Sequence, residues 1–261
     1  MKKGASMSTN DLPASEGFLF FERRQCDLPY YRPAPEGFSL TGWLIVLIAV
    51  AVSFVVLGLA QQHFHSGIAG FIPPLLFVLI PLAAVAAVAG AKAPFALFRP
   101  VGLREVGLMV LFFILNYIVT IVVGTILVSA FHPASNPAGD MVATASGVDQ
   151  VLFFFWTAVQ LLGEEIFTIL IFLGAMAGLT RVMSRNLALC LAALVAAIIF
   201  GLVHLPTYQG NLIQAVTLVP IRIVLLIPYI ITRNIWTSTG THVLNDWTTF
   251  GMAAYAGMQA G

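Results

Sequence analysis

The residues of this chain whose types and spacing could do chemistry are few. Glu164 and Glu165 stand side by side. His204 closes the run Phe200-Gly-Leu-Val-His204, and His242 is followed at i+3 and i+4 by Asn245 and Asp246. Each lies in a largely apolar stretch, as does the cation Arg222. Carboxylates and imidazoles in apolar surroundings suit water activation for hydrolysis, zinc coordination or proton transfer across a membrane. Peptide hydrolysis needs an activated water and donors for the tetrahedral oxyanion. A carboxylate withdrawn from water is a usable base near neutrality, and Glu164 fits that role. His204 could position the same water and later protonate the leaving amine, while His242 and a helical neighbour could donate to the oxyanion. An ionised Asp246 only accepts hydrogen bonds. Either it is protonated, or it orients His242, or Asn245 supplies the donor.

The elements that must position these groups follow from composition. The chain has 261 residues, 59% hydrophobic and only 9% charged, against roughly 25% charged in soluble domains. So few charges cannot cover a water-facing surface, which excludes an ordinary soluble enzyme or a disordered chain. A net charge of +1 offers no field for a nucleic-acid partner. Seven runs are long and apolar enough to cross a bilayer: Leu40 to Ala60, Phe71 to Ala91, Val106 to Phe131, Val148 to Thr180, Leu187 to Leu205, Asn211 to Thr232, and Ile235 to about Gly257, the last oddly polar in its first half. The expected fold is an all-α polytopic transmembrane helix bundle of about seven spans. Residues 1–39 read as a cytoplasmic N-terminal tail rather than a signal peptide, with Phe18 to Phe21 a candidate interfacial segment. Residues 40–147 read as a three-span scaffold, and residues 148–261 as a four-span region holding every ionisable group at membrane depth.

Lys and Arg placement sets the orientation. Eleven of the twelve fall in the tail or in the loops around Lys92 to Arg104, Arg181 to Arg185 and Arg233; the opposite loops hold none. The reading is a multi-pass protein of the cell membrane with its N-terminus in the cytoplasm and its C-terminus outside. Counted at ~1.5 Å per residue, Glu164 and His204 both lie ~25 Å from the cytoplasmic loops, but His242 only ~10–14 Å from Arg233. That depth mismatch asks for tilt, a bent span or a re-entrant stretch. Adjacent glutamates project about 100° apart, so only one can face a shared chamber. Cys26 and Cys190 form no metal pair, and Cys190 reads as a small core residue. Gly174 and Gly178 read as a helix contact, and His63 and His65 as solvated.

Glu164-Glu165, Phe200-xxx-His204 and His242-xxx-Asp246 resemble, in order, the EExxxR, FxxxH and HxxxN/D motifs of the CPBP family, the CAAX-processing and bacteriocin-processing membrane proteases. The resemblance covers residues 164–246. It implies an intramembrane, glutamate-dependent endopeptidase acting on a membrane-associated peptide or protein, without a resident cofactor. Catalytic roles would fall to Glu164, Glu165, His204, His242, Asn245 and Asp246. The motif Arg is replaced by Ile169, and Asp246 stands where many members have Asn. Two Glu, two His and an Asp also suffice for zinc, although no HExxH pairing is present. A non-proteolytic membrane scaffold or immunity protein is the alternative from another class. A transporter is disfavoured, because the polar groups occupy one half of the chain. With Ile169 in the motif, Arg222 is expected to supply the missing charge to Glu165, with Asp246 as the rival partner and backbone carbonyls or water as the other possibility.

Overall fold

The computed structural model describes Leu19, Glu22 and residues 27–131, 136–145 and 147–260. Cys26 and the rest of the Phe18–Phe21 segment apart from Leu19 lie outside the described residues. The chain is all-helical: α1 (Leu40–Gln61), α2 (Ile72–Ala89), α3 (Leu103–Ala130), α4 (Pro137–Thr144), α5 (Gly147–Leu179), α6 (Arg185–Val203), α7 (Leu212–Thr232) and α8 (Ile235–Ala260). All but α4 coincide with the seven expected spans to within a few residues. The short α4 was not expected in the polar 132–147 connection. Asn136 caps it, accepting from the Ala138 N–H at 3.0 Å. Ser39 caps α1 in the same way, and Asn211 caps α7, as short polar side chains do at helix starts.

Among the described residues six helices are long and apolar enough to cross a membrane; the chain is a multi-pass membrane protein. Helix α8 falls short because its first half is polar. It packs against α3, α4, α5 and α7, so Thr237, Ser238, Thr241 and His242 are buried in protein, where polar side chains are tolerated at membrane depth. Helix α5 is the most buried of the apolar helices and α3 the least. The core runs from Val46 and Val50 of α1 through Ile166, Ile169, Leu170 and Leu173 of α5 to Leu226 and Tyr229 of α7.

Two glycines permit close approach beside the motif residues. A Cβ on Gly163 would stand 2.4 Å from the Phe77 ring, and one on Gly201 would stand 2.5 Å from the Ala215 carbonyl oxygen. Gly174 does make the expected helix contact, against Trp43 and Leu47 of α1. Gly178 does not, since nothing lies near it. Cys190 is exposed on α6 rather than in the core; the helix turns it away from α5 and α7.

The depth mismatch has a physical resolution. The α7–α8 turn is covered by protein, with Arg233 and Asn234 buried. Glu22 is buried there too, paired with Arg233 and, at 2.8 Å, with Arg185. Arg99 donates from its backbone N–H to Asn234 Oδ1 at 3.1 Å and from Nε to the Arg233 carbonyl at 3.1 Å. Leu28, Tyr30, Tyr31 and Phe38 join the core. The end of the expected tail is therefore a cover over the turn, and Arg233 does not mark the surface from which depth should be counted.

Candidate active site

Helix α5 presents Glu164 and Glu165 about 100° apart, and the two carboxylates meet different surroundings. Glu165 is fully buried. Its Oε1 lies 2.7 Å from Arg222 Nη1 on α7 and 2.9 Å from His242 Nδ1 on α8. An arginine only donates, so two donors converge on one carboxylate oxygen. This fixes a proton on His242 Nδ1 and leaves Nε2 facing away from Glu165. Arg222 is held from its other side by the Phe200 ring, 4.6 Å below the guanidinium carbon, a cation–π contact. The expected partnership with Glu165 is thus present, and the contacts of Arg222 are with Glu165, His242 and Phe200 rather than Asp246. Ile169, at the motif's Arg position, is buried in the apolar core.

Glu164 is directed the other way, into a cavity of about 460 Å³ that His204, His242, Asn245 and Asp246 also line. Its Oε1 accepts from Gln160 Nε2 at 3.2 Å, and Gln160 Oε1 accepts from Gln61 Nε2 at 2.9 Å. One carboxylate oxygen is thereby fixed by an amide relay from α1, and the other is left for a ligand or water.

His204 sits at the C-terminal end of α6, just before Pro206. Its Nδ1 lies 2.7 Å from the Phe200 carbonyl oxygen. A carbonyl only accepts, so Nδ1 carries the proton and caps one of the carbonyls left open at a helix end. Nε2 then holds a lone pair. Tyr208 stacks 6.4 Å from the His204 ring. Burial, with the Asp246 and Glu164 carboxylates nearby, pushes its phenol up to about 12, so it stays protonated at neutral pH.

On α8 the i, i+4 spacing brings His242 Nε2 to 3.7 Å from Asp246 Oδ2, and to 3.9 Å from Glu164 Oε2. Asn245 donates to Asp246 Oδ1 at 3.0 Å, while its own Oδ1 accepts from Asn116 Nδ2 at 3.1 Å. The structure thus brings all six sequence-derived site residues together, five on the cavity and Glu165 behind them. Sequence reasoning missed Gln61, Gln160, Asn116 and Tyr208. Asn116, a buried amide in the uncharged run Val106 to Phe131, was the legible signal among them. His63 and His65 are exposed as expected, though His65 also lines the cavity rim. Among the described residues no three His, Cys, Asp or Glu side chains are arranged to hold a metal ion.

A second cavity of about 280 Å³ shares Gln61, Gln160, Glu164, Phe200, His204 and Thr207 with the first. Phe54, Leu57, Phe77 and Phe167 also line it, which makes it the more apolar of the two.

No curated protein and no solved structure is similar enough to match the chain. Residues 145–248 match the family model described as Type II CAAX prenyl endopeptidase Rce1-like. This segment contains α5 through most of α8 and every motif residue of the cavity. Over residues 145–248 the chain is thus similar to the Rce1-like family of type II CAAX prenyl endopeptidases, a family of membrane proteases.

Proposed function

We propose that the chain is an intramembrane endopeptidase of the cell membrane, with a cytoplasmic N-terminus, hydrolysing a membrane-associated peptide or protein by a glutamate-activated water. The observation that supports this most is the division of labour between two adjacent carboxylates. Glu165 is occupied by Arg222 and His242, whereas Glu164 keeps one oxygen toward the cavity that His204 also lines. In this reading a water donates one hydrogen bond to the His204 Nε2 lone pair and one to Glu164. Glu164 takes the proton as the water oxygen adds to the scissile carbonyl carbon. The oxyanion accepts from Asn245 and from Nε2–H of His242 in its doubly protonated form, whose Nδ1–H is held by Glu165. When the C–N bond breaks, the proton passes through His204 to the departing amine nitrogen, and Glu164 is again ionised. Asp246 orients Asn245 and faces His242. The test is the membrane peptidome of cells producing the wild-type protein or Glu164→Gln. Peptides with new termini should disappear in the variant while the protein accumulates normally. An unchanged peptidome would refute the reading.

A further inference from the structure

We infer that the cavity opens on the face opposite the basic loops, so that the substrate is an extracytoplasmic peptide segment without nearby acidic groups; this rests on the protease reading above. The rim of the larger cavity is built from three connections. Phe64 and His65 follow α1, Asn136 and Met141 belong to the α3–α5 connection with α4, and Thr207 and Tyr208 lie between α6 and α7. These three connections contain no Lys or Arg. Phe64, His65, Asn136 and Met141 are exposed at the mouth.

The other end of the bundle is shut. Below His242 come Arg222, Tyr229, Arg233 and Leu226, all fully buried, and Glu22 lies over Arg233. Basic residues cluster on this closed side: Lys92 and Arg99 before α3, Arg104 in its first turn, Arg181 before α6 and Arg185 at its start. Because basic loops stay in the cytoplasm, the closed end is cytoplasmic and the open end is not.

The charge of the cavity narrows the substrate further. Its lining includes the carboxylates of Glu164 and Asp246 and no Lys or Arg. The nearby cation, Arg222, is buried against Glu165. A substrate carboxylate next to the scissile bond would meet like charge in a site with low-dielectric walls. An uncharged or basic internal segment meets no such penalty, and Phe64 and Met141 at the rim, with Phe153 and Trp156 in the lining, offer it apolar contact.

The experiment labels single cysteines with a membrane-impermeant maleimide in intact cells, in a Cys26→Ser, Cys190→Ser background. Met141→Cys at the mouth should label as fast as in permeabilised cells, whereas Arg181→Cys should label only after permeabilisation. The reverse pattern overturns the inference. Labelling does not depend on proteolysis, so the two readings fail separately. A library of quenched fluorescent octapeptides, one pool carrying Lys and one carrying Asp, is then added to right-side-out and to inverted vesicles, with Glu164→Gln as control. Cleavage of the Lys pool in right-side-out vesicles only supports the inference. Cleavage confined to inverted vesicles, or preference for the Asp pool, overturns it. No cleavage in either preparation overturns the protease reading and, with it, the substrate.

Discussion

Arg222 Nη1 on α7 lies 2.7 Å from Glu165 Oε1 on α5, and both side chains are fully buried. The cation that an EExxxR motif places on the glutamate helix itself is here supplied by α7, and Ile169, at that motif's Arg position, lies in the core. A charge buried without its partner is costly. Arg222→Met and Glu165→Gln should therefore each destabilise the protein by about 3–5 kcal/mol, and the double variant by less than their sum. Thermal unfolding in detergent measures the cycle. Additive losses would show that the pair is not coupled. A parallel cycle of Arg222→Met with Asp246→Asn should show weaker coupling, since these two side chains meet only through His242.

Asn116 reaches from α3 to hold the Asn245 amide, and Asn245 in turn donates to Asp246. Asn116→Leu removes the donor and lets Asn245 rotate. Small misplacements in an active site cost about 10²-fold in rate. Cleavage by Asn116→Leu should fall in kcat by about that factor with little change in KM. An unchanged kcat would separate Asn245 from the chemistry.

The cover over the α7–α8 turn should make stability acid-sensitive. Burial opposes ionisation of Glu22, but the hydrogen bond from Arg185, the Leu19 N–H and the charges of Arg185 and Arg233 outweigh it and hold the carboxyl below its ordinary 4.5. Asp27 is likewise buried, yet Tyr31, Arg185 and Arg32 hold it below 3.8. A group with a lowered folded value stabilises fully above its unfolded value and loses that contribution as pH falls through the folded one. Melting temperature should therefore be flat at neutral pH and drop below about pH 4. The drop should be smaller in Glu22→Gln, which starts less stable. A pH-independent difference between the two proteins would contradict the assignment.

The spans were legible because lipid demands long apolar runs and nearly all of them obey that demand. The motif residues were legible because ionisable groups at membrane depth are expensive and stand out. The pairing of Arg222 with Glu165 could be anticipated from Ile169, since a buried glutamate without a cation on its own helix must find one elsewhere. Other features were not legible. Amides such as Gln61 and Gln160 carry no charge, so nothing in their spacing separates a relay to Glu164 from ordinary polar residues near a helix end. The depth of His242 was misjudged because burial of Arg233 depends on Glu22, more than 200 positions away in sequence, and no local pattern reports so distant an ion pair. Cys190 and Gly178 were placed in contacts that the helix faces do not provide, because in a chain this apolar, lipid-facing and core-facing sides have the same composition.

The most direct test of the central claim uses purified protein in bilayers, incubated with membrane peptides whose termini are counted by mass spectrometry. Glu164→Gln changes one cavity-facing oxygen to an amide and leaves the buried Glu165 pair untouched. A general base contributes about 10²–10⁴-fold, so the variant should lose cleavage by at least about 10²-fold with its melting temperature unchanged. Cleavage by Glu164→Gln at the wild-type rate would contradict the account.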